Sequence, residues 1–137
     1  MLGKKKIILI EDNPGLVDLI TEIIKEGYLE RDIVLARDGM EAIDRFQELS
    51  IKWNGEVEDK IKLIILDLDL SNINGMDILR FIKKNPRYSR IPIITLSTDS
   101  DKTTIDEAYS NGVSEFVTKS LSYDDFVANL RGLKEFY

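Results

Sequence analysis

Residues able to do chemistry stand in this chain where short apolar runs stop. Glu11 and Asp12 follow Lys6–Ile10. Asp67 follows the run Leu63-Ile64-Ile65-Leu66, with Asp69 two residues further on. Ser97 and Thr98 follow Ile91–Leu96, and Lys119 comes just after Val113–Val117. A polar residue at the end of an apolar run often only marks where a strand meets water. Four such ends carrying carboxylate, hydroxyl and ammonium groups suggest a single rim.

The chemistry of that rim follows from electrostatics. Carboxylates packed together repel, which raises their apparent pKa values as a group. A divalent cation with oxygen ligands offsets the repulsion, and Mg²⁺ takes one or two carboxylates together with waters and phosphate oxygens. The set is therefore suited to receiving a phosphoryl group. Asp67 is the expected nucleophile, Mg²⁺ neutralises charge on the transferring oxygens, Lys119 adds a second positive contact, and Ser97 donates a hydrogen bond.

Composition narrows the field from the other side. Among 137 residues there is no cysteine and no histidine. Disulfides, thiolate zinc sites, cysteine nucleophiles, Ser-His-Asp triads and internal phosphohistidine are thereby excluded. The hydrophobic share of 43% and charged share of 32% fit a globular chain of one domain, residues 1–137. A net charge of −6 argues against a nucleic-acid-binding face. The basic run Lys4-Lys5-Lys6 reads as a solvated strand entry. The apolar run Ile7–Ile10 is too short for a signal peptide, and nothing approaches a membrane span, so a cytoplasmic protein is expected.

The elements that position the rim alternate regularly. Lys6–Ile10, Ile33–Ala36, Leu63–Leu66, Ile91–Leu96 and Val113–Val117 read as strands. Between them run helical spacings. Leu16, Leu19, Ile20, Ile23 and Ile24 mark the first helix, with Asn13 as cap and Pro14 at its first position. Asp38 with Glu41 opens the second, which continues through Ala42, Ile43, Phe46 and Leu49. The third follows Gly75 and ends before Pro86. The fourth spans about 101–110 with Gly112 as its stop. The fifth starts near Ser122 and carries Phe126, Val127, Leu130 and Leu133. Continuously apolar strands separated by helices predict an α/β fold, a doubly wound five-stranded parallel sheet of (βα)₅ type. Ligands bind such sheets at the carboxyl ends of the strands, where strand order reverses. Only Ser50–Lys60 is long and polar for a connection; it reads as helix extension plus surface loop, with Trp53 as a potential partner contact.

The strings IILIEDNPG, ARDGMEAI, LIILDLDLSNINGMDIL, IPIITLSTDSD and GVSEFVTKS resemble the CheY-like receiver domains of bacterial two-component signalling, from about Lys5 to Leu133. The resemblance implies a flavodoxin-like receiver fold. It makes Glu11 and Asp12 the acidic pair for Mg²⁺, with Asp12 the closer ligand. Asp67 becomes the phosphoacceptor, and Asp69 lends its backbone carbonyl to the metal. Ser97 is the switch hydroxyl, Lys119 the phosphate contact, and Phe116 the aromatic whose rotamer reports phosphorylation. The phosphoryl donor is then a sensor histidine kinase or phosphotransfer protein. Output passes to a downstream protein through the fourth helix, fifth strand and fifth helix, where Tyr109, Glu115 and Tyr123 lie, with homodimerisation through that face as one option. The long exit from the second helix is similar to small stand-alone regulators paired with phytochrome-type kinases.

The chain departs from the family pattern in three respects. Ser120 follows Lys119 where proline is usual, and a trans bond is expected there. Ser71 and Asn74 replace the usual proline and aspartate, although Asn74-Gly75 still supports a tight turn. Asp69 is an unusual acid, able to repel a phosphoryl group, orient water or bind metal. Asp67-Leu68-Asp69 also resembles the first motif of haloacid-dehalogenase-type phosphatases, with Asp69 as acid/base. Against that reading, the candidate acidic pair precedes Lys119 rather than following it. Asp124-Asp125, the later pair, falls at a capped helix start. A receiver-shaped binding module that takes no phosphoryl group is the remaining alternative.

Overall fold

In the computed structural model, which describes residues 5–26, 32–54, 56–71, 73–119 and 122–136, the five apolar runs are strands. They are β1 (Lys6–Ile10), β2 (Ile33–Ala36), β3 (Ile61–Asp67), β4 (Ile93–Ser97) and β5 (Glu115–Thr118). The helices are α1 (Pro14–Lys25), α2 (Gly39–Lys52), α3 (Gly75–Lys84), α4 (Lys102–Ser110) and α5 (Tyr123–Arg131), the last running into a 3₁₀ turn, Gly132–Phe136. All four strand pairings are parallel, in the order β2-β1-β3-β4-β5. Strand order therefore reverses at β1 and β3, and the crevice beyond their carboxyl ends is where such sheets bind ligands.

Alternation along the strands splits the core in two. Ile8, Ile10, Ile64 and Leu66 pack with Phe46, Ile78, Leu79 and Ile82 on the α2–α3 side. Ile7, Leu9, Leu63 and Ile65 pack with Ile20, Ile24, Phe126 and Leu130 on the α1–α5 side. Successive strand residues point to opposite faces and both faces are covered, which is why the strands lack a polar alternate. Each fully buried side chain of this size stabilises the fold by about 1.5–3 kcal/mol relative to exposure.

Local chemistry sets the helix ends. Asn13 Oδ1 accepts the Leu16 N–H at 3.2 Å, and Asp38 Oδ1 accepts that of Glu41 at 2.8 Å. Asn74 Oδ1 caps α3 through the Met76 N–H at 2.8 Å. Gly112, at φ +90°, ends α4 in the left-handed region that glycine tolerates. Asp101 makes no side-chain cap bond; Asp99 instead accepts the Asp101 N–H and the Thr104 hydroxyl.

Several boundaries differ from the sequence reading. β3 begins two residues earlier and takes Asp67 as its last residue, while β4 starts only after Pro92 and β5 starts at Glu115. Val113 is spent on closing α4, its N–H bonding to the Ala108 carbonyl. Asn74-Gly75 is a helix start rather than a tight turn. A Cβ on Gly75 would lie 2.4 Å from Leu68 Cα, so glycine is required there for close approach. In the long connection α2 extends to Lys52, as expected, but Trp53 is half-buried against the α2–α3 core. Trp53 is therefore a packing residue, and the exposed apolar side chain of that turn is Ile51. Ser120 and its bond to Lys119 lie outside the described residues.

Candidate functional site

The rim assembles at the reversal point. The parallel register pairs Ile10 of β1 with Leu66 of β3; one step further stand Glu11 and Asp67, both buried, at 0% and 1% exposure. One oxygen of each of Glu11, Asp12 and Asp67 lies within 4.8 Å of the others. Asp67 Oδ2 is 2.7 Å from Lys119 Nζ, and Asp67 Oδ1 accepts the Asp69 N–H at 2.8 Å. Lys119 arrives from beyond β5, held by its own N–H on the Ser97 carbonyl at 2.8 Å.

Asp12 is half-exposed and anchored from across the crevice. Its Oδ2 accepts both the Ser71 N–H (3.1 Å) and the Ser71 hydroxyl (3.0 Å). Asp69 turns to the other side. Its carboxylate accepts the Ser97 hydroxyl (3.2 Å) and the Thr98 N–H (2.9 Å), and lies 3.3 Å from Lys119 Nζ. Ser97 Oγ in turn accepts the Asp99 N–H at 3.0 Å.

These contacts set the charges. Burial, then a hydrogen bond shared with Asp67, then the Asp67 charge push Glu11 up to about 9, against the pull of Lys119 and the Asn13 N–H. Burial alone would raise Asp69 too, but the Thr98 N–H and Lys119 outweigh it and hold that carboxyl below its usual range. Burial works against the Lys119 ammonium, yet Asp67, Glu11 and Asp69 together raise its pKa.

The donor set fits a hard divalent cation. Glu11 Oε1 is buried without a hydrogen-bond partner, and its neighbour Asp67 can serve only if one of the two carboxyls carries a proton. A cation bound by oxygen ligands removes that need. Among the described residues this is the one cluster of three or more potential metal ligands.

A parallel sheet in this order, with carboxylates from β1 and β3 facing a lysine from beyond β5, defines a receiver-type α/β domain. The sequence profile of the response regulator receiver domain matches residues 7–131. The chain belongs to that family and is a response regulator receiver of two-component signalling. It is 30% identical over 135 residues to the response regulator Rcp1 of a Synechocystis species, covering 97% of this chain and 88% of that one. The crystal structure of the phosphorylated cyanobacterial phytochrome response regulator RcpA superposes with a TM-score of 0.81 at 33% identity, covering 98% and 94% of the two chains. The Mn²⁺-bound form of Rcp1 gives 0.80 at 30% identity, covering 96% and 93%.

The structure brings Glu11, Asp12, Asp67, Asp69, Ser97 and Lys119 into one crevice. Phe116 is not part of it; that ring is half-buried against the α2–α3 core, and its backbone pairs with Thr95. Sequence reasoning missed one participant. Ser71 reads there only as a departure from the family pattern, yet it holds Asp12. Thr98, expected at the rim for its hydroxyl, also brings its backbone N–H to Asp69. Neither the family membership nor the fold favours the haloacid-dehalogenase reading, and the carboxylate of its candidate acid/base, Asp69, is held by Ser97, Thr98 and Lys119.

Proposed function

We propose that Asp67 accepts a phosphoryl group from the phosphohistidine of a sensor histidine kinase or phosphotransfer protein. Asp67 Oδ attacks phosphorus as the P–N bond breaks, the electron pair leaving with the imidazole. The observation that carries this reading is the buried Asp67 carboxylate, 2.7 Å from Lys119 Nζ and clustered with Glu11 and Asp12. Glu11, Asp12, Asp67 and the Asp69 backbone carbonyl are assigned to Mg²⁺, with Asp12 the closer of the acidic pair. When bound, Mg²⁺ supplies positive charge to the transferring oxygens. Lys119 and Ser97 contact the phosphoryl group directly.

Phosphorylation draws Ser97 toward the new oxygens and gives Phe116 room to turn inward, shifting an existing equilibrium of the α4–β5–α5 face. Tyr109 and Tyr123 are exposed there and Glu115 is half-buried. That face contacts a downstream protein or a second copy of the chain. It is not proposed to bind nucleic acid or membrane. Among the described residues no helix is long and apolar enough to cross a membrane. Similarity to RcpA, a cyanobacterial phytochrome response regulator, supports a phytochrome-type kinase as donor. A kinase drawing on ATP places the chain, read as one domain over 1–137, in the cytoplasm. It acts as a switch with slow self-dephosphorylation rather than as a turnover enzyme.

The test is incubation with Mg²⁺ and excess acetyl phosphate, followed by intact mass and phosphate release. One labile phosphoryl adduct, lost in Asp67→Asn, is expected. Absence of any adduct would leave an unphosphorylated binding module, and sustained turnover of aryl phosphates would indicate a phosphatase.

A further inference from the structure

Donors from two strand ends converge on the Asp69 carboxylate: the Ser97 hydroxyl at the end of β4, the Thr98 N–H just past it, and the Lys119 ammonium after β5. They surround the space beside Asp67, whose Oδ2 shares the same ammonium. A phosphoryl group on Asp67 carries its own negative oxygens into that space, and these are the nearest strong donors for them. The Asp69 side chain already uses all three. Its backbone N–H meanwhile binds Asp67 Oδ1 at 2.8 Å, so one residue is tied both to the acceptor and to the acceptor's surroundings.

We propose that the Asp69 carboxylate is a tethered stand-in for the phosphoryl group, filling its seat in the resting protein and having to leave before transfer to Asp67. The inference rests on the reading of Asp67 as phosphoacceptor and adds how access to that residue is controlled. Every donor held by Asp69 is withheld from the phosphoryl oxygens, and the two anions repel at this distance, so the incoming phosphoryl group and Asp69 compete. Asp69 also keeps the Ser97 hydroxyl turned toward the seat before any phosphoryl group arrives. A displaced Asp69 side chain has room, since a groove of about 240 Å³ adjoins it between α3 and α4, bordered by Asn74, Arg80 and Thr104. Asp69 thus acts as a positioning residue that sets how readily a charged donor reaches Asp67.

Two measurements test this, one of them independent of phosphorylation. In the resting, metal-free protein, Asp69→Ala removes the acceptor of the Thr98 N–H. The Thr98 amide proton resonance should move upfield and its exchange with solvent should accelerate. An unchanged Thr98 resonance would overturn the proposal. In the second, wild type and Asp69→Asn are phosphorylated with Mg²⁺ and either dianionic acetyl phosphate or the less negative phosphoramidate. Removing one negative charge at the seat should raise the rate with acetyl phosphate roughly ten-fold, with a smaller gain for phosphoramidate. A purely structural role would move both donors alike. Equal or slower rates in Asp69→Asn, or equal gains for the two donors, would overturn competition for the seat. If neither protein takes a phosphoryl group while Thr98 responds to Asp69→Ala, the phosphoacceptor reading falls, and the gating role with it, while the resting contact stands.

Discussion

Lys119 Nζ lies 2.7 Å from Asp67 Oδ2 although the two residues leave the sheet from β3 and β5, with β4 between them. The contact closes over the end of β4. It is enclosed as well, the side chains being 12% and 1% exposed. An ion pair this sheltered from water is costly to break from one side, because the remaining charge stays buried without compensation.

Lys119→Ala should therefore destabilise the metal-free protein by about 3–5 kcal/mol near neutral pH. Added Mg²⁺ should recover part of that loss, since the cation replaces the missing positive charge beside Asp67. Urea unfolding with and without Mg²⁺ measures both. An unchanged midpoint in the metal-free protein would contradict the pairing.

Glu11 predicts a pH dependence. Its carboxyl is raised in the fold, first by burial and then by Asp67, to about 9 from an ordinary 4.5. The folded state thus holds this proton more tightly than the unfolded chain. The contribution is fully present below the unfolded value and is lost as pH rises toward the folded one. Metal-free stability should accordingly fall between about pH 4.5 and 9 through this group, and Glu11→Gln should flatten that fall. Metal binding requires the charged carboxylate, so Mg²⁺ affinity should rise over the same interval with about one proton released. Calorimetry in buffers of different ionisation enthalpy counts that proton; zero release would contradict the assignment.

Ser71 predicts a metal effect without touching the metal. Its hydroxyl and N–H both hold Asp12 Oδ2, and partners that orient a ligand commonly carry ten-fold or more in affinity. Ser71→Ala keeps the N–H contact and loses the hydroxyl, so Mg²⁺ affinity should fall by roughly ten-fold or somewhat less. Phosphorylation rates at saturating Mg²⁺ should change little. Titration followed by NMR or calorimetry distinguishes this from general unfolding.

Gly75 couples packing to the site. A Cβ there would stand 2.4 Å from Leu68 Cα and 2.7 Å from the Leu68 carbonyl oxygen. These are backbone atoms between Asp67 and Asp69 and cannot rotate away. Gly75→Ala should cost about 1–3 kcal/mol by overpacking and should slow phosphoryl uptake, measured by denaturant midpoint and by adduct formation. A stable variant with normal uptake would show that the loop after β3 has slack.

Period and spacing alone carried a large part of this protein into view. The five apolar runs, the caps at Asn13 and Asp38 and the stop at Gly112 depend on a residue and its near neighbours, and all stand in the structure. The rim residues were also legible, because polar side chains at the ends of continuously apolar strands of a parallel sheet must share one edge. Chain contacts of long range were not. That Ser71 holds Asp12 depends on a loop returning across 59 positions, and that Trp53 is tucked in depends on the space left beside α2 and β3. Asp69 shows the division most plainly. Its type and place after Asp67 were visible, with repulsion, water orientation and metal binding all open. Only the folded chain, by bringing Ser97, Thr98 and Lys119 from two other strand ends, decides what that carboxylate touches.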